Sequence, residues 1–143
     1  MKTIRKALAL SILSLIGLAG MAPQAKADVV DISPFSYAAV AFSPSTGKYG
    51  YAWNHGSRAA AEKTALSRCT EKDAEIVAWV NEGFLAVAIA EDNTYGTGYR
   101  FGAGASNTDA FNRAKAELKK RTDSRIKVII VLCSDNVEPQ ILK

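Results

Sequence analysis

Two short segments concentrate the side chains best suited to recognition. In Lys48–Asn54 (KYGYAWN), Tyr49, Tyr51 and Trp53 alternate with Gly50 and Ala52; in Tyr95–Phe101 (YGTGYRF), Tyr95, Thr97, Tyr99 and Phe101 alternate with Gly96 and Gly98. A period of two places each aromatic set on one strand face and nearly bare backbone on the other. Rigid rings give large contact area at low entropic cost, so an exposed stripe would suit sugar rings or a protein partner. A covered stripe would instead be core, each ring contributing about 1.5–3 kcal/mol by burial. The candidate ligand-binding set is Tyr49, Tyr51, Trp53, His55, Tyr95 and Tyr99.

His55, the sole histidine, lies in the loop Asn54-His55-Gly56-Ser57. Nucleophilic catalysis there needs a hydroxyl or thiol within hydrogen-bond reach and a third group to orient the ring. Ser57 is near in sequence, but it precedes a helical pattern, where capping occupies its hydroxyl. No catalytic residue is assigned. Gly96-x-Gly98 and Gly102-x-Gly104 stand between a strand and a helix, where backbone N–H groups cradle anions. Their spacing matches neither a dinucleotide-binding fingerprint nor a P-loop, which leaves Gly104, Ser106 and Asn107 as an anion candidate. Lys119-Lys120-Arg121, with Arg125 and Lys127, forms the one basic cluster. Its ordinary role is a solvated helix end, with Glu117 four residues before Arg121 in the stabilising order. Its functional alternative is docking on an acidic envelope polymer or a membrane surface. Glu91-Asp92 falls in a turn pattern, with no apolar pocket implied to raise a carboxyl pKa. With one His and no CxxC or HxxxH pair, no zinc set exists, and neither metal nor cofactor is expected.

The elements that hold these residues occur twice. Tyr37–Phe42 (YAAVAF) is an apolar strand, Ser43–Gly47 is dense in turn residues, and Lys48–Asn54 returns as a second strand. Arg58–Cys69 places Ala61, Ala65 and Cys69 on one helical face, and Glu75–Val80 closes the unit. Phe84–Ala90, the turn Glu91–Thr94 and Tyr95–Phe101 begin the second copy, with Tyr95-Gly96 matching Tyr49-Gly50 at an offset of 46. Ser106 and Asp109 have capping-box spacing, a helix to about Lys120 turns Ala110, Ala114 and Leu118 inward, and Ile126–Cys133 is the last strand. The expected fold is α+β: two β-β-α-β pseudo-repeats, about six mostly antiparallel strands and two helices. Two short helices cover about one sheet face, so the other must close on itself or stay exposed.

The chain has 143 residues, 48% hydrophobic and 22% charged, which excludes a disordered tail and a multi-span membrane protein. Lys2, Arg5, Lys6 and Lys26 hold the net charge of +4; from residue 28 onward 14 basic residues balance 14 acidic ones. A neutral domain has no bulk electrostatic reason to bind nucleic acid. Met1–Lys6 is basic, Ala7–Ala22 is apolar and Ala25-Lys26-Ala27 has the small-x-small pattern of a signal peptidase site. Residues 1–27 are therefore expected to be a cleaved signal peptide, 28–36 a lead-in arm, 37–135 the single domain and 136–143 a tail. The apolar run is shorter than the ~20 residues that cross a bilayer, so the mature chain is expected to have no membrane span and to be periplasmic or extracellular. An even pair of cysteines after export, Cys69 and Cys133, is expected to form a disulfide, adding about 4 kcal/mol by chain entropy.

Ala39-Val40-Ala41-Phe42-Ser43, then Gly47 through Trp53 with Tyr49-Gly50, then Ala61…Ala65-Leu66…Cys69, resemble the secreted bacterial domains grouped as domain of unknown function 4189. The resemblance spans Tyr37 to Ser134 and implies an exported domain with no assigned reaction. Members often carry more cysteines, and this chain has none near Asp73-Ala74, where the helix-end cysteine usually finds its partner. The functional expectation is a non-enzymatic binding or modulating module whose partner is an envelope glycan or protein. The alternatives are a small hydrolase or transferase using His55, or a purely structural envelope protein. Ligand and oligomeric state are not specified by these residues.

Overall fold

Alternation of side-chain size decides the architecture. In the strand Tyr37–Phe42, Ala38, Val40 and Phe42 face one way and Ala39 and Ala41 the other; in Gly83–Ala90, Leu85, Val87 and Ile89 oppose Ala86, Ala88 and Ala90, and all of these are buried. Buried on both faces, each strand needs two different neighbours. The computed structural model, which describes residues 35–101 and 105–143, shows what they are. The expected leader, and all but the last two residues of the expected arm, lie outside the described residues.

The first copy comprises β1 (Tyr37–Phe42), β2 (Tyr49–His55), α1 (Arg58–Arg68) and β3 (Glu75–Asn81). The second comprises β4 (Gly83–Ala90), β5 (Tyr95–Phe101), α2 (Asn107–Lys119) and β6 (Ile126–Cys133). Each copy forms its own antiparallel sheet around its first strand, in the orders β2-β1-β3 and β5-β4-β6. A seventh strand, β7 (Gln140–Leu142), extends the second sheet by pairing with β6. The fold is α+β, as the sequence implies, but the tail supplies a strand: Ile141 sits opposite Ile130 and packs on the core, which anchors it.

The large side chains of the two sheets meet. Val40, Phe42 and Val80 join Leu85, Val87, Ile89, Val128, Ile130 and Leu132 in one buried cluster between the sheets. The alanine faces turn outward and take the helices. Ala39, Ala41 and Ala52 pack with Ala61, Ala65 and Cys69 of the first helical segment; Ala86, Ala88 and Ala90 pack with Ala110, Ala114 and Leu118 of α2. The layer order is thus helix, sheet, sheet, helix. The face that two helices could not cover closes on its counterpart. Ser57 and Ser106 cap the helices, accepting from the N–H of Ala60 and Asp109.

The glycines of the edge strands set the helix-to-sheet distance. A Cβ added at Gly50 would lie 2.3 Å from the Ala65 carbonyl oxygen and 2.6 Å from the Cys69 nitrogen. In the second copy a Cβ at Gly96 would lie 2.4 Å from the Leu118 nitrogen, and one at Gly98 2.3 Å from the Ala110 oxygen. Backbone occupies the side-chain volume, so only glycine fits.

A buried serine ties the sheets at one end. Ser134 donates its N–H to the Gly83 carbonyl (2.9 Å) and its Oγ accepts from the Gly83 N–H (3.1 Å). Its carbonyl accepts from the Asn54 N–H (3.1 Å) and from the Ser36 hydroxyl. Asn54 is free to reach across because β2 bulges there: Tyr37 opposes His55 while Ala39 opposes Ala52, and Asn54 takes a φ of 57°.

The expected disulfide is not formed. Cys69 and Cys133 are free and buried. Cys69 lies under the first helix on the outside of one sheet, whereas Cys133 ends β6 in the other, opposite Phe84. The inter-sheet core separates them. Burial pushes both thiols up from their ordinary pKa, which suppresses the reactive thiolate.

Two outcomes follow. Gly98→Ala is expected to destabilise by about 1–3 kcal/mol through overpacking, whereas Gly56→Ala, with nothing within 4 Å of the new Cβ, should change stability by less than about 1 kcal/mol; urea unfolding of the two variants makes the comparison. A disulfide-exchange thiol assay should find both cysteines slow to react in the native chain and both titratable, without reductant, once it is unfolded.

Candidate functional site

Four cationic residues from distant parts of the chain converge on one flank. Lys48 and Tyr49 at the start of β2, Arg68 at the end of α1, Lys127 near the start of β6 and Lys143 beyond β7 line an open groove of about 470 Å³, together with Cys69 and Thr70. The Glu71 carboxylate answers them, bonded to Lys48 at 2.6 Å. That contact raises the Lys48 pKa, first through the hydrogen bond and then through the charge. Tyr49 is half-buried, and burial raises its phenol pKa, with Tyr51 adding to the effect. The phenol therefore stays neutral, a hydrogen-bonding group beside the cations. Charge-assisted hydrogen bonds suit such a groove to carboxylate, sulfate or phosphate groups.

Arg68 also reaches over the edge of β2. Its Nη1 donates to the Tyr51 carbonyl at 2.7 Å, and its guanidinium lies 5.8 Å from the Trp53 ring centre. The second copy repeats the device, with Arg121 donating to the Tyr95 carbonyl at 3.2 Å and lying 5.7 Å from that ring. Both arginines blunt an edge strand that would otherwise offer free backbone groups.

The loops around the groove are held by carboxylates. Asp73 accepts from the Ser43 hydroxyl at 2.5 Å and from the Ser45 N–H at 3.0 Å. Asp92 accepts from the Thr122 hydroxyl at 2.6 Å and from the Thr94 N–H at 3.0 Å. In one copy the loop after the helix supplies the acid and the hairpin turn the donors; in the other the roles are exchanged. Asn93 joins the two turns by donating to the Pro44 carbonyl at 3.1 Å.

The aromatic stripe is neither open platform nor deep core. Tyr49, Tyr51, Trp53, Tyr95 and Tyr99 are half-buried and pack against the edge of the inter-sheet cluster. Tyr51 lies 6.4 Å from Tyr49 and 6.0 Å from Trp53 between ring centres, one continuous ledge. Tyr49 alone enters the basic groove, while Tyr99 lines the opposite flank with Trp79 and Phe101.

His55 ends β2 opposite Tyr37. Ser57 is committed to the Ala60 N–H at 3.2 Å, and the two thiols are buried, Cys69 under the first helix and Cys133 at the end of β6. Of the anion candidate, Gly104 lies outside the described residues. Ser106 is taken by its cap, and Asp109 already places a carboxylate in the first helical turn, 3.4 Å from Arg100. Asn107 begins that helix, its Oδ1 accepting from the Thr108 hydroxyl. The basic cluster disperses: Lys120, not Arg121, pairs with Glu117 at 2.6 Å, because Arg121 turns to the β5 edge, and Arg125 meets Glu91 at 3.3 Å. Lys127 alone reaches the groove. Lys48, Arg68 and Lys143 were not marked by sequence, since isolated charges far apart carry no periodic signal.

A sequence model of the family described as domain of unknown function (DUF4189) matches residues 37–133, and the chain belongs to that family. The match runs from the first residue of β1 to the last of β6, both copies of the repeat. No curated protein and no solved structure matches the chain.

The carboxylate ties make stability depend on pH. Hydrogen bonds, from Ser43 first for Asp73 and from Thr122 first for Asp92, lower both carboxyl pKa values from 3.8 to about 2. The unfolded chain then takes up protons before the folded one does. The contribution is complete above about pH 4 and is lost as pH falls towards 2. Acid unfolding followed by circular dichroism should be less steep in that window for the Asp73→Asn, Asp92→Asn double variant than for the parent.

Proposed function

We propose that this protein is an exported, non-enzymatic binding domain that holds an anionic envelope glycan in the groove beside β2. The basic start, apolar run and Ala-Lys-Ala pattern of residues 1–27 support export to the periplasm or the cell exterior. The observation that carries the binding role is the convergence of Lys48, Arg68, Lys127 and Lys143 on Tyr49, in a chain whose total charge from residue 28 onward is balanced. A balanced protein gains nothing by bulk attraction, so a cationic concavity concentrates its field on one ligand-sized surface. The half-buried Tyr49 ring offers a face for a sugar ring, and the cations around it take that sugar's acidic substituents. The groove is open and shallow, which fits a segment of a polymer.

Co-sedimentation of the protein from a secreting host with purified cell-wall sacculi tests this. The parent is expected to pellet with sacculi and to be released by about 0.5 M salt as the charges are screened. Lys127→Glu, an exposed change that leaves Tyr49 in place, should reduce the bound fraction about fivefold or more without lowering the unfolding midpoint. Binding indifferent to salt and to Lys127→Glu, or no binding at all, would overturn the assignment.

A further inference from the structure

Among the described residues, β7 is the one strand that duplication does not explain. It lies beyond residues 37–133, and every buried member of the inter-sheet cluster comes from β1, β3, β4 or β6. β7 is three residues long and pairs with β6 alone, through Ile129–Leu142, Ile130–Ile141 and Val131–Gln140. Gln140 and Leu142 are exposed, and half-buried Ile141 is the contact with the core. A strand with so few buried contacts belongs to the low-stability end of a fold, opening and closing while the rest stays native.

This strand nevertheless carries a residue to the basic groove. The register that sets Leu142 opposite Ile129 brings Lys143 level with Val128, and Lys127, Val128 and Lys143 line the groove together. Of the four cations there, Lys48 is bonded to Glu71 and Arg68 to the Tyr51 carbonyl. Lys127 and Lys143 have no ion-pair partner among the described residues. The two uncommitted cations therefore stand on adjacent strands, and one of them is held in place by β7.

We infer that β7 is a ligand-linked strap: an anionic glycan segment in the groove and the docking of β7 on β6 stabilise each other through Lys143. This coupling, which rests on the glycan-binding reading of the groove, adds a control to it. With β7 docked, the Lys143 ammonium makes a charge-assisted contact to the ligand; with β7 released, that contact is lost. A contact made in one state only shifts the equilibrium between the two by its own strength. By linkage, whatever loosens β7 weakens binding in the same proportion. Ile141 is then a positioning residue: it does not line the groove, but it holds the strand that brings Lys143 there.

Amide hydrogen exchange of the full protein from a secreting host, with and without soluble fragments of digested sacculi, reads the coupling directly. Saturating fragments are expected to slow exchange at the β7 amides about tenfold, the strength of one hydrogen bond to a charged group. In Lys143→Ser the same fragments should change it by less than about twofold. In fragment titrations Ile141→Asn should weaken binding about tenfold, as Lys143→Ser does, and Ile141→Val by less than about twofold. The Ile141→Asn, Lys143→Ser double variant should bind within about twofold of Lys143→Ser alone, since releasing the strap removes only the contact already lost. A parent that fails to bind the fragments overturns the groove assignment itself, and the strap with it. Parental binding in Ile141→Asn, β7 exchange indifferent to the fragments, or additive losses in the double variant would overturn the strap alone, and the exchange measurement on the parent needs no variant to fold.

Discussion

The contact between helix backbone and edge strand is the constraint on which the rest of this fold depends. At Gly50, Gly96 and Gly98 the helix carbonyls and amides occupy space that any Cβ would need. Helices seated so close require small residues directly beneath them, and alanines 39, 41, 52, 86, 88 and 90 provide these. Pleating puts Val40, Phe42, Leu85, Val87, Ile89, Val128, Ile130 and Leu132 on the opposite face, while Ile129 and Val131 stay on the helix side. Left open, that face would be a large exposed apolar patch, and the two copies cover it by facing each other. Internal duplication is thus a requirement of the packing, because each half supplies the apolar layer the other lacks.

Once two such sheets meet, their polar backbone has to be satisfied at the ends and edges. Ser134 serves one end, where a single buried residue bonds β4, the bulge of β2 and the segment before β1. Asp73 and Asp92 serve the other, each fixing a hairpin turn to the loop after a helix. The exchange of acid and hydroxyl between the copies shows that the link matters more than which side supplies the charge. Arg68 and Arg121 treat the edges alike, each spending its guanidinium on an edge carbonyl and a neighbouring ring.

Most of this was legible in the residues. Alternation of Tyr and Gly located β2 and β5, Ser57 and Ser106 marked the helix starts, and the offset of 46 residues revealed the duplication. Two features were not. Cys69 and Cys133 looked like a pair because count and compartment are one-dimensional arguments, whereas pairing requires Cα atoms within about 7 Å and side chains aimed at each other. Cys133 follows Leu132 on β6, and that single step of the pleat turns it away from the core. The tail looked unstructured because three residues carry too little periodicity to register, yet pairing with β6 and the core contact of Ile141 hold β7. The site is harder still to see in sequence: its four cations come from four elements, and only the fold brings them together.

The departures from symmetry are more informative than the symmetry. Packing explains why the copies agree: any change in the alanine faces, glycines or inter-sheet residues is opposed by loss of stability. It does not explain why one flank is ringed by Lys48, Arg68, Lys127 and Lys143 while the other has Phe101 exposed and Trp79 under the Arg58 guanidinium, 4.2 Å from the ring centre. Neither surface contributes to the core as the buried residues do. The two flanks began from one plan and were finished with opposite chemistry, one cationic and one apolar. The cationic groove beside β2 and the apolar groove beside β3 thus lie on opposite edges of one double sheet.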